Sequence, residues 1–158
     1  MRISEIKNKL AENSAAIKEL QSRIAKLSNE NSALHAEKNS KLLGYFIDYI
    51  EIGSTYTFDR WSNLGGIQIG LKKDERPEAS YFSTGDVIEF VKKNKVSFVI
   101  KWTIKNRVFK NKTEVSHPNK LYRIDIINLY TLLGQNGTFT KSFDTFVKRK
   151  ESLDLLGI

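Results

Sequence analysis

The chain has 158 residues, no cysteine, and 26 lysines and arginines against 18 acidic residues, which gives a formal net charge of +8. This length suits about one domain, and the absence of cysteine excludes disulfides, thiolate nucleophiles and cysteine-based zinc sites. The positive charge favours anionic partners such as nucleic acid or an acidic protein, although many basic proteins have no such partner. We find neither a signal peptide nor a run of about 18 apolar residues, so we expect a soluble cytoplasmic protein that does not associate with membranes.

A seven-residue repeat runs through the first 41 residues. If Ile3 is position a, eight of the first ten a and d positions are Ile or Leu, and no Pro or Gly precedes Gly44. A narrow apolar stripe with a period of about 3.5 residues, sustained over about five heptads, is typical of a coiled coil. The predicted oligomerisation residues, called the heptad seam below, are Ile3, Ile6, Leu10, Ile17, Leu20, Ile24, Leu27, Asn31 and Leu34.

The composition of the heptad seam favours a parallel homodimer. Ile predominates at a and Leu at d, which is the pattern of two-stranded coils, and Asn31 at an a position can pair with its symmetry mate. Asn13 at a d position is less diagnostic. A trimer, or packing within one chain, therefore remains an alternative.

Residues 44–158 are predicted to form a basic, β-rich domain, and residues 1–43 the oligomerisation helix, because Gly44 can end that helix. The segment "GYFIDYIEIG", which begins at Gly44, fits either a last helical turn or a first strand. Short segments that alternate apolar and polar residues are separated by turn residues such as "NLGG", as in an antiparallel meander or a small barrel. The predicted strands are Ser54–Trp61, Gly66–Lys73, a strand in Tyr81–Lys93 after a turn at Thr84, Lys95–Lys110 and Tyr122–Ile126.

Two short helices are predicted after the last strand. Asp125 or Asn128 can cap the first, and Gly134 can end it. "QNGT" is a turn signal, and Ser142 can cap the second helix. The predicted fold class is therefore α+β: a long N-terminal coiled-coil helix, a mainly antiparallel β domain for which an SH3-like barrel is one arrangement, and one or two short C-terminal helices.

In the segment "KVSFVIKWTIKNRVFK" (Lys95–Lys110), the even-numbered positions from Val96 to Ile104 are apolar, and the odd-numbered positions are largely basic or polar. Alternate residues of a strand lie on the same face, so the segment predicts a strand with one apolar and one basic face. Between Lys92 and Arg123 there are ten basic residues, and Glu114 is the only acid. Alternate side chains on a strand lie about 7 Å apart, which is close to the phosphate spacing along a nucleic-acid strand. The predicted nucleic-acid-binding residues are Lys95, Lys101, Lys105, Arg107, Phe109, Lys110, Lys112, Lys120 and Arg123.

Catalytic motifs are not evident. The P-loop, GxSxG, HExxH and GxGxxG patterns are absent, and the histidines His35 and His117 have no partners at metal-ligand spacing. Asp86, Glu89 and Lys92 loosely match the acid-plus-lysine sets of nucleases, but strand alternation places Asp86 and Glu89 on opposite faces. We therefore predict a non-enzymatic protein with no metal and no cofactor.

The domain layout and one short turn each resemble features of known protein families. An N-terminal coiled coil followed by a small basic domain resembles the bacterial nucleoid-associated silencers, although their short DNA-reading loop motif is absent here. The Thr84-Gly85-Asp86-Val87 turn leading into a strand looks like the beginning of an SH3-like or Tudor-like barrel. Richness in Lys, Asn and Ile suits an AT-rich genome such as that of a bacteriophage, with a location in the host cytoplasm or nucleoid.

The leading hypothesis is thus a dimeric accessory protein that binds nucleic acid, DNA in the first instance, with low sequence specificity. The alternative is an assembly or host-takeover adaptor that docks an acidic protein while its coiled coil sets the oligomeric state.

Overall fold

The computed structural model describes residues 1–69, 78–104, 107–109, 112–114 and 121–157, and its class is α+β, as predicted. The chain divides into two compact units, Met1–Lys41 and Leu42–Ile158. In chain order the elements are α1 (Ile3–Tyr49), β1 (Thr55–Thr57), β2 (Ser62–Ile69), β3 (Glu78–Phe82), β4 (Val87–Lys93), β5 (Ser97–Thr103), β6 (Arg107–Phe109), β7 (Lys112–Glu114), β8 (Leu121–Asp125), α2 (Ile126–Leu133) and α3 (Gly137–Leu155).

Helix α1 continues beyond the predicted end at Gly44. A glycine inside a helix costs about 1 kcal/mol relative to alanine, but the following turn buries Phe46 completely. Burial of one large apolar side chain is worth about 1.5–3 kcal/mol and outweighs that cost. The helix ends at Tyr49, and Gly53, with φ of +87°, reverses the chain into β1.

The main sheet is antiparallel, with the strand order β1-β4-β5-β8. The alternation predicted for β5 is confirmed from Ile100 to Thr103, where Ile100 and Trp102 are buried and Lys101 and Thr103 are exposed, but at the start of the strand Ser97 is buried together with Phe98. Strands β1 and β8 lie at opposite edges and do not pair with each other. In the described part of the chain the sheet is therefore open and does not close into a barrel.

The other described strands form two separate hairpins, β2–β3 and β6–β7. The turn predicted at "NLGG" is wrong, because these residues lie inside β2, where the pairing with β3 is irregular between Asn63 and Gln68. The single strand predicted over Lys95–Lys110 is also wrong, since β5 ends at Thr103 and β6 begins at Arg107.

Aromatic rings from three helices and from strand β5 form the centre of the core in the second unit. Phe46 of α1 lies 5.3–6.0 Å, centroid to centroid, from four rings, all in edge-to-face geometry. Edge-to-face pairs add about 0.5–1.5 kcal/mol each beyond the burial of their surface. This cluster joins the end of α1 to the sheet, α2 and α3, and its other members are Phe98, Tyr130, Phe139 and Phe143.

Both ends of α2 lie at the residues that the sequence predicted, whereas α3 begins earlier than predicted. Asp125 occupies the N-cap position of α2 and Gly134 the C-cap position, although the Asp125 side chain accepts no capping hydrogen bond. Helix α3 begins at Gly137, five residues before the predicted cap Ser142. Asp59, distant in sequence, provides the missing acceptor: its Oδ2 accepts hydrogen bonds from the backbone N–H of Thr138 (2.9 Å) and from its hydroxyl (2.8 Å).

This remote cap predicts a pH-dependent contribution to stability. The hydrogen bond donated by the Thr138 backbone holds the pKa of Asp59 below its usual 3.8. A lowered pKa means stability that is fully present above 3.8 and is lost as the pH falls through the folded-state pKa. We expect Asp59→Asn to destabilise the protein by about 0.3–1 kcal/mol near neutral pH, at the low end because solvent screens this group.

Thermal melts of the wild type and of Asp59→Asn across acidic pH test this expectation. The difference in melting temperature should be greatest at neutral pH and should shrink below pH 3.8. A difference that is constant across the range contradicts a role for the carboxylate charge.

Candidate nucleic-acid interface

The outward face of β5 and β8 presents two of the predicted basic residues. Lys101 and Arg123 are both exposed. The register pairs Val99 with Arg123 and Lys101 with Leu121, so that Lys101 and Arg123 are diagonal neighbours. Diagonal neighbours lie about 7–8 Å apart, which matches the spacing between adjacent phosphates of one strand.

Carboxylates share this face. Glu89 of β4 is directly opposite Lys101, and Asp125 follows Arg123 on the same side of β8 and is exposed. Opposite charges in such cross-strand positions attract each other and reduce the local positive potential. The described part of this face is therefore mixed in sign. A count of charges between Lys92 and Arg123 misses these two carboxylates, because Glu89 precedes that interval in the sequence and Asp125 follows it.

Two lysines near the start of β5 differ in their roles. The Nζ of Lys93 donates hydrogen bonds to the carbonyl oxygens of Ile47 and Ile50, at 2.8 Å each, and so satisfies the C-terminal end of α1. Lys95 is exposed in a turn in which Asn94 Oδ1 accepts from the backbone N–H groups of Val96 and Ser97. Lys95 is available to a ligand, and Lys93 has a structural role.

The remaining predicted residues belong to the segment 105–120. Arg107 and Phe109 lie in β6 and Lys112 in β7, and the register partner of Arg107 is Glu114. Lys105, Lys110 and Lys120 lie outside the described residues. The segment has five basic residues and one acid, which is half of the net charge of +8.

The heptad seam is solvent-exposed on α1. Its eight Ile and Leu side chains are between 42% and 73% exposed, and Asn31 is also exposed. Every residue of the unit Met1–Lys41 is in the exposed class, so this unit has no core of its own. A regular row of exposed apolar side chains of this length is typical of interaction surfaces.

A cavity of about 310 Å³ lies beside the C-terminal end of α1. No sequence pattern predicted it, because its lining residues come from distant segments of the chain. The lining residues are Tyr49, Ile50, Glu51, Ser54, Thr55, Tyr56, Phe90, Leu133 and Phe139.

Asp86 is one of the three residues that loosely match the acid-plus-lysine sets of nucleases, and its contacts within the fold are structural. It is buried, and its Oδ2 accepts hydrogen bonds from the Ser83 backbone N–H (3.0 Å) and the Trp102 indole N–H (3.3 Å). The described residues contain no group of three or more His, Asp or Glu side chains placed to hold a metal ion.

The fold and surfaces define an α+β protein with a long helix, an open antiparallel sheet and an exposed heptad seam. No protein-family model, curated protein sequence or solved structure matches the chain. None of the described helices combines the length and the apolar character needed to cross a lipid bilayer.

Proposed function

We propose that this protein is a homodimeric, non-enzymatic accessory protein that dimerises through a parallel coiled coil and binds nucleic acid with low sequence specificity. The observation that carries the proposal is the exposed heptad seam, because its apolar side chains need a second helix to cover them. The anionic partner follows from the charge of the globular part.

The seam chemistry favours two parallel helices. Ile at a and Leu at d pack best in parallel dimers, and Asn31 accepts and donates hydrogen bonds most completely against its own copy in an in-register pair. Dimerisation would also double every binding surface of the chain. Two linked copies of a weak site bind far more tightly than one, since the second binding event is intramolecular.

Two features support nucleic acid as the partner. Lys101 and Arg123 have the diagonal spacing that suits adjacent phosphates, and the segment 105–120 concentrates half of the net charge. Lysine predominates in that segment, and lysine acts as a point charge rather than as a bidentate reader of bases. Binding should therefore be governed by phosphate contacts, with duplex DNA as the first candidate.

The second candidate is an assembly adaptor that docks an acidic protein. Two observations favour it: Glu89 and Asp125 interrupt the positive face, and Trp61 is 59% exposed. Tryptophan is enriched among the residues that dominate protein–protein affinity. The heptad seam has the same role under both candidates.

Fluorescence anisotropy with a random duplex at several salt concentrations tests the nucleic-acid proposal. The variant Lys101→Gln/Arg123→Gln should bind more weakly, and the slope of log K against log salt should fall by about 0.9 for each phosphate that the protein no longer neutralises. Glutamine avoids a like-charge pair with Glu89. The control Lys141→Gln/Lys148→Gln makes the same charge change at exposed positions of α3.

The control should bind like the wild type. Absence of binding at low salt contradicts the nucleic-acid proposal and leaves the assembly adaptor. Equal weakening in the variant and the control shows that net charge, and not this face of the sheet, determines binding.

A further inference from the structure

We propose that the pair Asn136-Gly137 is a site of spontaneous deamidation that the native fold blocks and that unfolding makes reactive. It is the only Asn-Gly pair in the chain. Asparagine is a chemically labile residue, and a following glycine speeds its reaction because a residue without Cβ leaves its backbone nitrogen unhindered. The site is independent of the nucleic-acid face and of the heptad seam.

The reaction needs only the chain and water. The Gly137 backbone nitrogen attacks the side-chain Cγ of Asn136, so an N–Cγ bond forms and the Cγ–Nδ2 bond breaks. The proton of the attacking nitrogen passes through solvent to the departing amide, which leaves as ammonia. Water then opens the cyclic imide at either carbonyl group. The product at position 136 is aspartate or, with an additional methylene in the backbone, isoaspartate.

The fold holds the side-chain amide of Asn136 by hydrogen bonds. The residue is 0% exposed. Its Oδ1 accepts a hydrogen bond from the Asp59 backbone N–H (3.1 Å). Its Nδ2 donates to the Ser62 hydroxyl (2.9 Å) and to the Leu132 carbonyl oxygen (3.3 Å). These bonds fix Cγ between the start of β2 and the end of α2, where water does not reach it.

The backbone keeps the two reacting atoms apart. Closure of the imide ring requires the Gly137 nitrogen to be nearly eclipsed with the Asn136 Cβ about the Cα–C bond. Asn136 is extended, with ψ of 125°, and this conformation does not allow that approach. Its carbonyl oxygen also accepts a hydrogen bond from the Thr140 backbone N–H (3.1 Å). A rotation about ψ would therefore break the first turn of α3, so the reaction requires local opening.

The products do not fit the native site. A carboxylate has no N–H to donate to the Leu132 carbonyl oxygen, and burial of an unpaired charge is costly. Isoaspartate also lengthens the backbone at the N-cap position of α3. A chain that deamidates while it is unfolded would therefore be unable to return to the native structure, which makes unfolding progressively irreversible.

Rates of deamidation in the folded and the denatured protein test the proposal. The wild type is incubated near neutral pH with and without guanidinium chloride, and mass spectrometry follows the tryptic peptide 124–141. We expect Asn136 to react at least about a hundredfold faster in the denatured chain, since opening of a buried site in the native protein carries a free-energy penalty. Asn128 lies in the same peptide and precedes leucine, so it should remain intact. Equal rates in the two states, or equal conversion of Asn128, overturn the proposal.

Gly137→Ala separates the chemistry from the fold. A Cβ at this position meets nothing within 4 Å, and φ of Gly137 is not positive, so the variant should fold like the wild type. Its denatured chain should deamidate more slowly, because the new methyl group hinders the attacking nitrogen. During prolonged denaturation the refolding yield of the wild type should fall in step with conversion at position 136, whereas the yield of Gly137→Ala should persist. An equal fall in both proteins, or full refolding of converted wild type, overturns the proposal.

Discussion

Phe46→Ala is expected to destabilise the globular unit by about 3–5 kcal/mol, the usual cost of removing a buried phenylalanine ring. Phe46 is 0% exposed and packs edge to face against four rings, so its truncation would leave a cavity that the surrounding rings fill only in part. Since single domains are stable by about 5–15 kcal/mol, the loss is a large part of the total. Chemical denaturation followed by tryptophan fluorescence measures it.

Phe46→Leu is the matched control. Leucine keeps most of the apolar volume and should cost less than half as much as alanine. If the two variants unfold at the same denaturant concentration as the wild type, the end of α1 is not anchored in the core as described.

Leu20→Asp/Ile24→Asp is expected to remove most of the helical signal of residues 3–41. Isolated helices are marginally stable in water, and this unit has no core of its own, so in the proposed dimer its helix would depend on burial of the heptad seam. Two aspartates in the seam would place unpaired carboxylates in an apolar interface. Far-ultraviolet circular dichroism measures the loss of helix.

The matched control is Ala15→Asp/Ser22→Asp, which introduces the same charges at positions that the heptad pattern assigns to solvent. This control should keep the helical signal, and its melting temperature should rise with protein concentration, as the wild type's should. Equal helicity in both variants contradicts a stabilising role for the seam.

Local patterns predicted much of the fold. The parity of "SFVIKWT" correctly assigned Phe98, Ile100 and Trp102 to the core, because strand alternation is a local property. Asp125 and Gly134 mark the ends of α2 as predicted, since these are local signals too. The heptad repeat predicted a long helix, and the structure confirms that helix over Ile3–Tyr49.

The errors arose where residues distant in sequence decide the local conformation. Gly44 is a helix breaker by composition, but the packing of Phe46 carries the helix past it. Helix α3 begins at Gly137 because Asp59 approaches from the β1–β2 connection. Val96 is an apolar, even-numbered position like Phe98, but it is 67% exposed. Asn94 Oδ1 accepts a hydrogen bond from its backbone N–H and holds Val96 in the turn before β5.

The candidate sites differ in how far the sequence could define them. The heptad seam could be defined in full, because a repeat depends on spacing alone. The mixed sign of the sheet face required the register that pairs Glu89 with Lys101. The cavity could not be predicted at all, because Tyr49, Phe90 and Phe139 come together only in the folded unit.

The mass of the intact protein in solution, determined by light scattering over a series of concentrations, reports directly on association through the heptad seam. We expect twice the chain mass of 18.1 kDa, with dissociation only at low concentration. A mass of three chains would contradict the dimer assigned from the seam composition. A mass of 18.1 kDa at every concentration would contradict seam-mediated association altogether.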